Sequence, residues 1–325
     1  MSAADVLRGR LAGCARILLT GPSEADGDSI GASLALQSAL RALFPAANVA
    51  VAGDAGPRYA WMPGAAELLA DAHVSADWDA VVVLDGDRHR LSPNVAAAFA
   101  AAGLRAIVDH HVSTTLDGYD VAWIDAHATS TCAMVNEART AWGVPLDRDT
   151  ATQLYVGTIF DTGGFRHTNT GPDTHRFAAT LLEAGIDHAF ASTKVLYERR
   201  LPGLRATGRV LSAATFALGG QVAFGDVPRA MFDELGLVSA DLEGIVDALG
   251  LVEGVEVAVL FIERDPGKVK LSFRSRGKVD VAALAQRLTP MGGGHRKASG
   301  ATVVGGLADV RARVQAELTD TLGAA

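Results

Sequence analysis

The sequence contains few cysteines, few aromatic residues and no long apolar run. Of its 325 residues only two are cysteine, and 6% are aromatic. Cys14 and Cys132 cannot form a disulfide framework, so a reducing compartment and a cytoplasmic location are expected. Uncharged stretches such as Val95–Leu104 fall short of the ~20 apolar residues that a membrane span requires, so no membrane partner is expected. No apolar run precedes Arg8, so the N-terminus does not resemble a signal peptide.

The chain also lacks an overall excess of basic residues. Its formal net charge is −8 at pH 7, which argues against a protein that coats long nucleic acids. The charge is uneven, since residues 264–300 contain nine Lys and Arg against two Asp and Glu, whereas residues 1–263 contain eighteen against thirty-two. An acidic part suits bound cations, and a short basic part suits a small polyanion. Solvent-exposed surfaces whose net charges differ in sign, without any ligand, explain the pattern equally well.

The order of apolar patterns predicts two domains. A chain of this length usually exceeds one hydrophobic core. The first half alternates short β-branched runs with alanine-rich helical patterns, which predicts an α/β domain with a parallel sheet and helices on both faces. After a predicted turn at Pro202-Gly203 the strands become two-sided, which predicts a smaller α+β domain with a mixed sheet. We therefore expect a first domain at 1–195, a linker at 196–215 and a second domain at 216–325.

Acidic and histidine residues follow three of the predicted parallel strands. Ligands bind outside the carboxyl ends of such strands, so these side chains are expected to converge on one edge of the sheet. Each group taken alone is more often a turn, a helix cap or a surface pair, but together they favour a metal site. Carboxylates with one or two imidazoles suit Mn²⁺ or Mg²⁺, and two such ions can clamp a phosphoryl group. The groups are Asp26 and Asp28 after strand 16–19, Asp85 after strand 80–84, Asp109, His110 and His111 after strand 105–108, and Asp161 at the end of a predicted helix.

Further motifs lie downstream, namely Asp161-Thr162-Gly163-Gly164-Phe165-Arg166, Ser272-Phe273-Arg274-Ser275 and Gly292-Gly293-Gly294-His295. In order and spacing, all these motifs resemble the DHH phosphoesterases with a C-terminal DHH-associated domain. The resemblance covers nearly the whole chain and is strongest to the bacterial nanoRNases that are also 3′-phosphoadenosine 5′-phosphate phosphatases. It implies a metal-dependent phosphodiesterase, with phosphomonoesterase activity as a further option. The implied substrates are RNA or DNA of two to five nucleotides, or nucleotide bisphosphates, and a homodimer is one option for the assembly.

The resemblance also implies a role for each matching residue. Two manganese ions are expected, with magnesium as a substitute. His111 would face the scissile phosphate, and Asp109 would orient the histidines. The metal ligands would be Asp26 for the first ion, Asp28, His110 and Asp161 for the second, and Asp85 as the bridge. The nucleotide would be held by Arg166, Arg274, Ser275, Gly293, Gly294 and His295, because arginine offers a bidentate fork and a glycine-rich loop lets phosphate approach the backbone.

One position departs from the family pattern. The family has a histidine ligand of the first ion six positions before Asp28, and this chain has Pro22 there. Ser23, Glu24 or a water would have to replace the missing nitrogen, or the first site would be weakened. Two alternatives to the phosphodiesterase therefore stay open: a nucleotide-binding sensor with a degenerate metal site, and a pyrophosphatase-like hydrolase of small phosphates.

Overall fold

Five parallel strands form the centre of the first of two units, which meet in the sequence between Glu198 and Arg199. The computed structural model describes residues 2–112 and 114–323, apart from the side chain of Arg264. The strands of this first unit are β1 (Arg16–Thr20), β2 (Asn48–Ala52), β3 (Ala80–Leu84), β4 (Leu104–Asp109) and β5 (Val121–Ile124), in the spatial order β2-β1-β3-β4-β5. The predicted parallel sheet is confirmed.

Helices cover both faces of this sheet. In β3, Val82 and Leu84 face the larger core, whereas Val81 and Val83 face a smaller core on the opposite side. Since every residue of β3 is buried, the strand appears in the sequence as an unbroken apolar run. The helices of the first unit are α1 (Ala3–Leu11), α2 (Gly27–Leu43), α3 (Gly56–Tyr59), α4 (Pro93–Ala101), α5 (Thr131–Ala141), α6 (Arg148–Asp161), α7 (Pro172–Glu183) and α8 (His188–Ser192).

The strand order creates a crevice at the carboxyl ends of β1 and β3. The chain leaves β1 through α2 to reach β2 on one side, and it leaves β3 through α4 to reach β4 on the other. In an open parallel sheet this reversal is where ligands bind, because neither connection covers the strand ends. Asp26 follows β1 and Asp85 follows β3, so the topology brings both carboxylates to this crevice.

The second unit is built on a mixed six-stranded sheet, as predicted. One face packs against the helices Val281–Leu288 and Leu307–Gly323, and the other against the helices Leu201–Ser212, Arg229–Leu235 and Ile245–Gly250. Within the described ranges, no helix is both long and apolar enough to cross a membrane. The elements are α9 (Leu201–Ser212), β6 (Thr215–Ala217), β7 (Val222–Val227), α10 (Arg229–Leu235), α11 (Ile245–Gly250), β8 (Val257–Asp265), β9 (Lys268–Ser275), α12 (Val281–Leu288), β10 (Gly293–His295), β11 (Ala298–Val304) and α13 (Leu307–Gly323), with the sheet order β10-β11-β9-β8-β7-β6.

The segment 196–215 differs from the linker that the sequence suggests. Most of it is α9, which belongs to the second unit. Pro202 lies in the first turn of this helix, where a proline is tolerated because its missing N–H has no partner inside the helix. Gly203 packs closely, since a Cβ there would lie 2.9 Å from the carbonyl oxygen of Asp241. The Pro-Gly pair therefore starts a packed helix and does not form a turn.

Candidate metal centre

Asp28 is held at the N-termini of two helices. It lies in the first turn of α2, and its carboxylate accepts backbone N–H groups from the first turn of α5. Thr131 donates to Oδ2 over 2.6 Å and Cys132 donates to Oδ1 over 2.9 Å. Both helix dipoles present partial positive charge to this carboxylate, which has no solvent exposure. Gly157 on α6 makes room for it, because a Cβ there would lie 2.5 Å from Oδ1.

Asp85 directly follows β3 and has a left-handed backbone conformation, with φ 60°. Its Oδ1 accepts the hydroxyl of Thr131 over 3.2 Å. The same oxygen lies 3.6 Å from Nε2 of His110 and 3.8 Å from Nδ1 of His111. Asp85 is 3% exposed, so these contacts take place in a buried, polar environment.

His110 faces three carboxylates with one ring nitrogen. Its Nε2 lies 2.9 Å from Oδ2 of Asp161, 3.6 Å from Oδ1 of Asp85 and 4.0 Å from Oδ2 of Asp28. The other nitrogen, Nδ1, is 3.3 Å from the carbonyl oxygen of Ala128, to which it donates its proton. This is the usual arrangement of a metal-binding imidazole, in which a backbone carbonyl selects the tautomer and leaves the second nitrogen available.

Asp109 binds the ring of the neighbouring histidine. Its Oδ1 accepts Nδ1–H of His111 over 2.7 Å, and its Oδ2 accepts the hydroxyl of Thr114. Although burial opposes ionisation, these bonds keep the pKa of Asp109 below its usual value, and the acidic partners keep the pKa of His111 above its usual value. From His110, Asp109 accepts the backbone N–H over 2.8 Å. Asp109 therefore binds the ring of His111, whereas the carbonyl oxygen of Ala128 binds the ring of His110.

Asp26 caps α2 beside this cluster. Its Oδ1 accepts the backbone N–H groups of Asp28 and Ser29 over 3.0 and 3.1 Å. Burial, and the nearby charges of Asp85 and Asp161, raise its pKa. Pro22 is buried against the turn that follows Asp85, with its Cδ 3.3 Å from the Cβ position of Gly86.

The electrostatics of the cluster favour a bound cation. Burial and the nearby charge of Asp161 raise the pKa of Asp28 to about 7. Burial and the nearby charges of Asp28 and Asp161 raise the pKa of Asp85 to about 8. Burial alone would lower the pKa of His110, but Asp161, Asp28 and Asp85 together raise it to about 10. Buried carboxylates of this number cannot all ionise without positive charge among them.

Oxygen and imidazole donors of this kind suit a hard or borderline divalent ion. Among the described residues, there are two groups of three side chains. Within each group every residue offers one ligand atom, and these atoms all lie within 4.8 Å of one another. The two groups are Asp28, His110 and Asp161, and Asp85, His110 and His111. The donor set therefore fits a divalent metal, with four of the predicted ligands in direct proximity.

The loop after α6 supports Asp161. The carbonyl oxygen of Asp161 accepts Nδ1–H of His167 over 2.9 Å and the side-chain amide of Asn169 over 3.3 Å. Asn169 also donates to the carbonyl oxygen of Thr129 over 3.0 Å, just before α5. Arg166 is exposed in this loop, with its Nε bonded to the carbonyl oxygen of Gly163 over 2.8 Å.

In the second unit, Arg274 is held by an acidic partner. Its Nε donates to Oδ1 of Asp247 over 2.7 Å, and its side chain is 38% exposed. The hydroxyl of Ser275 is directed inward, to Oε1 of Glu256 and to the carbonyl oxygen of Val279. The sequence predicts that Ser275 contacts substrate, whereas in the structure its hydroxyl is bonded to these two groups of the second unit.

The glycine run before His295 has two kinds of glycine. Gly292 packs so closely that a Cβ would lie 2.1 Å from the carbonyl oxygen of Ala285, and Gly294 has φ +137°. Gly293 has neither constraint, since nothing lies within 4 Å of its Cβ position. There is thus free space beside the Cα of Gly293, two residues before the exposed His295.

Three residues of the site carried no chemical signal in the sequence. Thr131 and Cys132 act mainly through backbone N–H groups, and Gly157 acts through the side chain that it lacks. A serine or threonine followed by an apolar helix can mark a helix N-terminus, but which carboxylate that N-terminus binds depends on the tertiary structure.

The fold and the site together define a class of protein: a two-unit chain in which an acidic, histidine-containing centre lies at the switch point of a parallel sheet. Family models specify it further. The DHH family N-terminal domain matches residues 16–158 and the DHHA1 domain matches residues 221–323. The chain belongs to the DHH family.

Curated relatives match most of the chain. The bifunctional oligoribonuclease and PAP phosphatase NrnA of Thermus thermophilus is 33% identical over 282 residues, which cover 86% of this chain and 82% of that protein. The protein of the same name from Bacillus subtilis is 26% identical over 285 residues, with 86% of both chains covered.

Solved structures share the fold. An exopolyphosphatase-related protein from Bacteroides fragilis superposes with a TM-score of 0.87 at 24% identity, covering 98% of this chain and 96% of that one. RecJ from Thermus thermophilus, in complex with Mn²⁺, superposes with a TM-score of 0.56 at 16% identity, covering 97% of this chain and 53% of that one.

Proposed function

We propose that this protein is a metal-dependent phosphoesterase that hydrolyses short oligonucleotides of two to five residues, and 3′-phosphoadenosine 5′-phosphate, to mononucleotides. The observation that carries the proposal is the convergence of Asp28, Asp85, His110 and Asp161, with the His111–Asp109 pair beside them. Relatives at 33% and 26% identity have names that state these two activities. A cytoplasmic location and a homodimer stay predictions of the sequence, to be checked by fractionation and light scattering.

The metal in this proposal is Mn²⁺, with Mg²⁺ as a substitute. Asp28, His110 and Asp161 would hold one ion, Asp85 would be shared, and Asp26 would serve a second ion. A divalent ion of this kind polarises phosphoryl oxygens and acidifies water near neutral pH. The two sites are unequal, because Pro22 provides no ligand and Asp26 lies outside both groups of clustered donor atoms among the described residues. Ser23 and Glu24 are both exposed and stay candidates for the missing ligand.

His111 supplies a proton in this proposal. Asp109 accepts its Nδ1–H and stabilises the imidazolium form, so Nε2 can donate to a phosphoryl or leaving-group oxygen. His111 suits this role better than His110, since its side chain is 29% exposed and that of His110 is 8% exposed.

The residues proposed to hold the substrate are chosen for their positive charge or for the open space around them. Arg274 presents a half-exposed guanidinium that Asp247 holds in place, and arginine binds phosphate with fixed geometry. Nothing crowds the Cα of Gly293, so an anion could approach the backbone there, with His295 nearby. Gly294 shapes the same turn, and the exposed Arg166 is a further candidate contact for substrate.

Substrate turnover by the purified protein tests the proposal. Dinucleotides, longer RNA and DNA, 3′-phosphoadenosine 5′-phosphate and pyrophosphate would each be incubated with Mn²⁺ and with Mg²⁺. The expected result is mononucleotide release that is faster from dinucleotides than from long chains and is abolished by EDTA. Binding without turnover would instead support the nucleotide sensor, and equal turnover of pyrophosphate would support the pyrophosphatase-like hydrolase.

A further inference from the structure

Thr131 contacts two of the metal-centre carboxylates at once. Its backbone N–H donates to Oδ2 of Asp28 over 2.6 Å, and its hydroxyl donates to Oδ1 of Asp85 over 3.2 Å. The residue is fully buried. Asp28 lies after β1 and Asp85 directly after β3, so one residue at the start of α5 connects carboxylates that follow two different strands.

These two bonds leave the carboxylates able to bind a cation. Each carboxylate oxygen has two lone pairs, so an oxygen that accepts one hydrogen bond keeps capacity for a metal. A donor also favours the ionised form of its acceptor, which is the form that a metal requires. Thr131 therefore holds both carboxylates and leaves them free lone pairs for a metal.

We propose that Thr131 is a positioning residue of the metal centre, which fixes the carboxylates of Asp28 and Asp85 relative to one another without touching metal or substrate. This inference rests on the proposed function, since it takes both carboxylates as metal ligands. The hydroxyl is the part that can be tested separately, because any residue at position 131 except proline keeps the backbone N–H.

Thr131→Val is the main test, because valine has nearly the same shape and lacks the hydroxyl. We expect Mn²⁺ affinity, measured by calorimetric titration, to fall about tenfold, as for the loss of one hydrogen bond to a charged group. Thr131→Ser keeps the hydroxyl and is expected to bind Mn²⁺ within about twofold of the wild type. A purely structural role would lower the thermal stability of the metal-free protein and leave Mn²⁺ affinity unchanged.

Thr158→Val is the matched control. Thr158 is also fully buried, lies on the adjacent helix α6, and donates its hydroxyl to the backbone carbonyl of Leu154 over 2.8 Å. Its replacement removes a buried hydroxyl without affecting a carboxylate, so Mn²⁺ affinity is expected to stay at the wild-type value. If Thr131→Val does not fold, the Mn²⁺ affinity of Thr131→Ala is compared with that of Thr131→Ser instead.

The possible outcomes separate this inference from the proposed function. If wild-type protein does not bind Mn²⁺, the metal centre itself is wrong. If wild-type protein binds Mn²⁺ and Thr131→Val binds it equally well, only the role of Thr131 is wrong. Equal losses in Thr131→Val and Thr158→Val would also overturn the role, because they would show that any buried hydroxyl near the site has the same effect.

Discussion

Asp85 combines a position in the candidate metal centre with an unusual backbone conformation. At φ 60° most side chains are strained, whereas asparagine and aspartate tolerate the left-handed region better than other non-glycine residues. The choice of aspartate at this position therefore serves both the local backbone and the carboxylate cluster. For the same reason, asparagine is the substitution that removes the charge and keeps this backbone conformation.

Asp85→Asn is expected to abolish hydrolysis and keep the fold. Asparagine accepts the same backbone conformation, but its neutral amide is a poor ligand for a divalent ion. We expect the turnover rate with Mn²⁺ to fall at least about 100-fold, as for removal of a main charge-stabilising group. Circular dichroism and thermal unfolding should stay close to wild type. If the variant kept more than a few per cent of the wild-type rate, Asp85 would not be the ligand that bridges the metal ions.

Arg274→Ala is expected to raise KM for dinucleotides. The guanidinium held by Asp247 would bind a phosphate of the substrate away from the bond that is cleaved, so its loss should weaken binding and change kcat little. An increase in KM of about tenfold is expected from one lost charged contact. Arg276→Ala is the control, because Arg276 is exposed and donates to the carbonyl oxygens of Gly250 and Val252. Similar KM values for the two variants would contradict a specific role of Arg274.

Helices α2, α5 and α6 pack tightly around the acidic cluster. A Cβ on Gly31 of α2 would lie 2.4 Å from the carbonyl oxygen of Gln153 on α6. A Cβ on Gly157 of α6 would lie 2.4 Å from Sγ of Cys132 and 2.5 Å from Oδ1 of Asp28. Glycine costs helix stability on its own, so its presence at both positions reflects the close approach of these elements.

Gly157→Ala is expected to destabilise the protein and weaken metal binding. In an open helix position this change is stabilising by up to about 1 kcal/mol, but here the new methyl group would displace Asp28 from its bonds to α5. Thermal unfolding in EDTA and Mn²⁺ titration would measure the two effects. Gly208→Ala is the matched control, because Gly208 lies in α9 with nothing within 4 Å of its Cβ position. Equal behaviour of the two variants would contradict the steric argument.

For the molecule as a whole, the acidic cluster links folding stability to pH. The pKa of Asp28 is raised from 3.8 to about 7, and that of Asp85 from 3.8 to about 8. Between the unfolded and folded values the folded state binds more protons than the unfolded state, so the free energy of unfolding falls as pH rises. His110 acts in the same direction, since its pKa is raised from 6.5 to about 10 and the stabilisation by its extra proton is lost as pH rises through this range.

Metal-free protein is therefore expected to melt at lower temperature as the pH rises from about 5 to about 8.5. Mn²⁺ requires deprotonated carboxylates and neutral imidazole, so the increase in Tm that it produces should grow over the same range. Calorimetry or circular dichroism melts in EDTA and in Mn²⁺ would measure both trends. A Tm in EDTA that is constant or rises with pH would contradict the predicted protonation of Asp28 and Asp85.

Local sequence patterns were sufficient to predict the sheet but not every boundary. The unbroken apolar run Val81–Leu84 predicted a doubly covered parallel strand, because burial on both faces leaves no polar position. In contrast, Pro202 and Gly203 have the composition of a turn and lie inside α9. The reason is that proline is compatible with a first helical turn and Gly203 contacts Asp241, a residue 38 positions away in the sequence.

By itself, the sequence determined the two-part α/β architecture, the acidic and histidine residues that form the candidate metal centre, and the absence of a histidine at position 22. These follow from residue type and period along the chain, which are local properties. Only the tertiary structure decided how that centre is supported: Thr131 and Cys132 donate N–H groups to Asp28, Gly157 makes space for it, and Asp247 holds Arg274. Such contacts join residues far apart in the sequence through backbone groups or an absent side chain, so no local pattern encodes them.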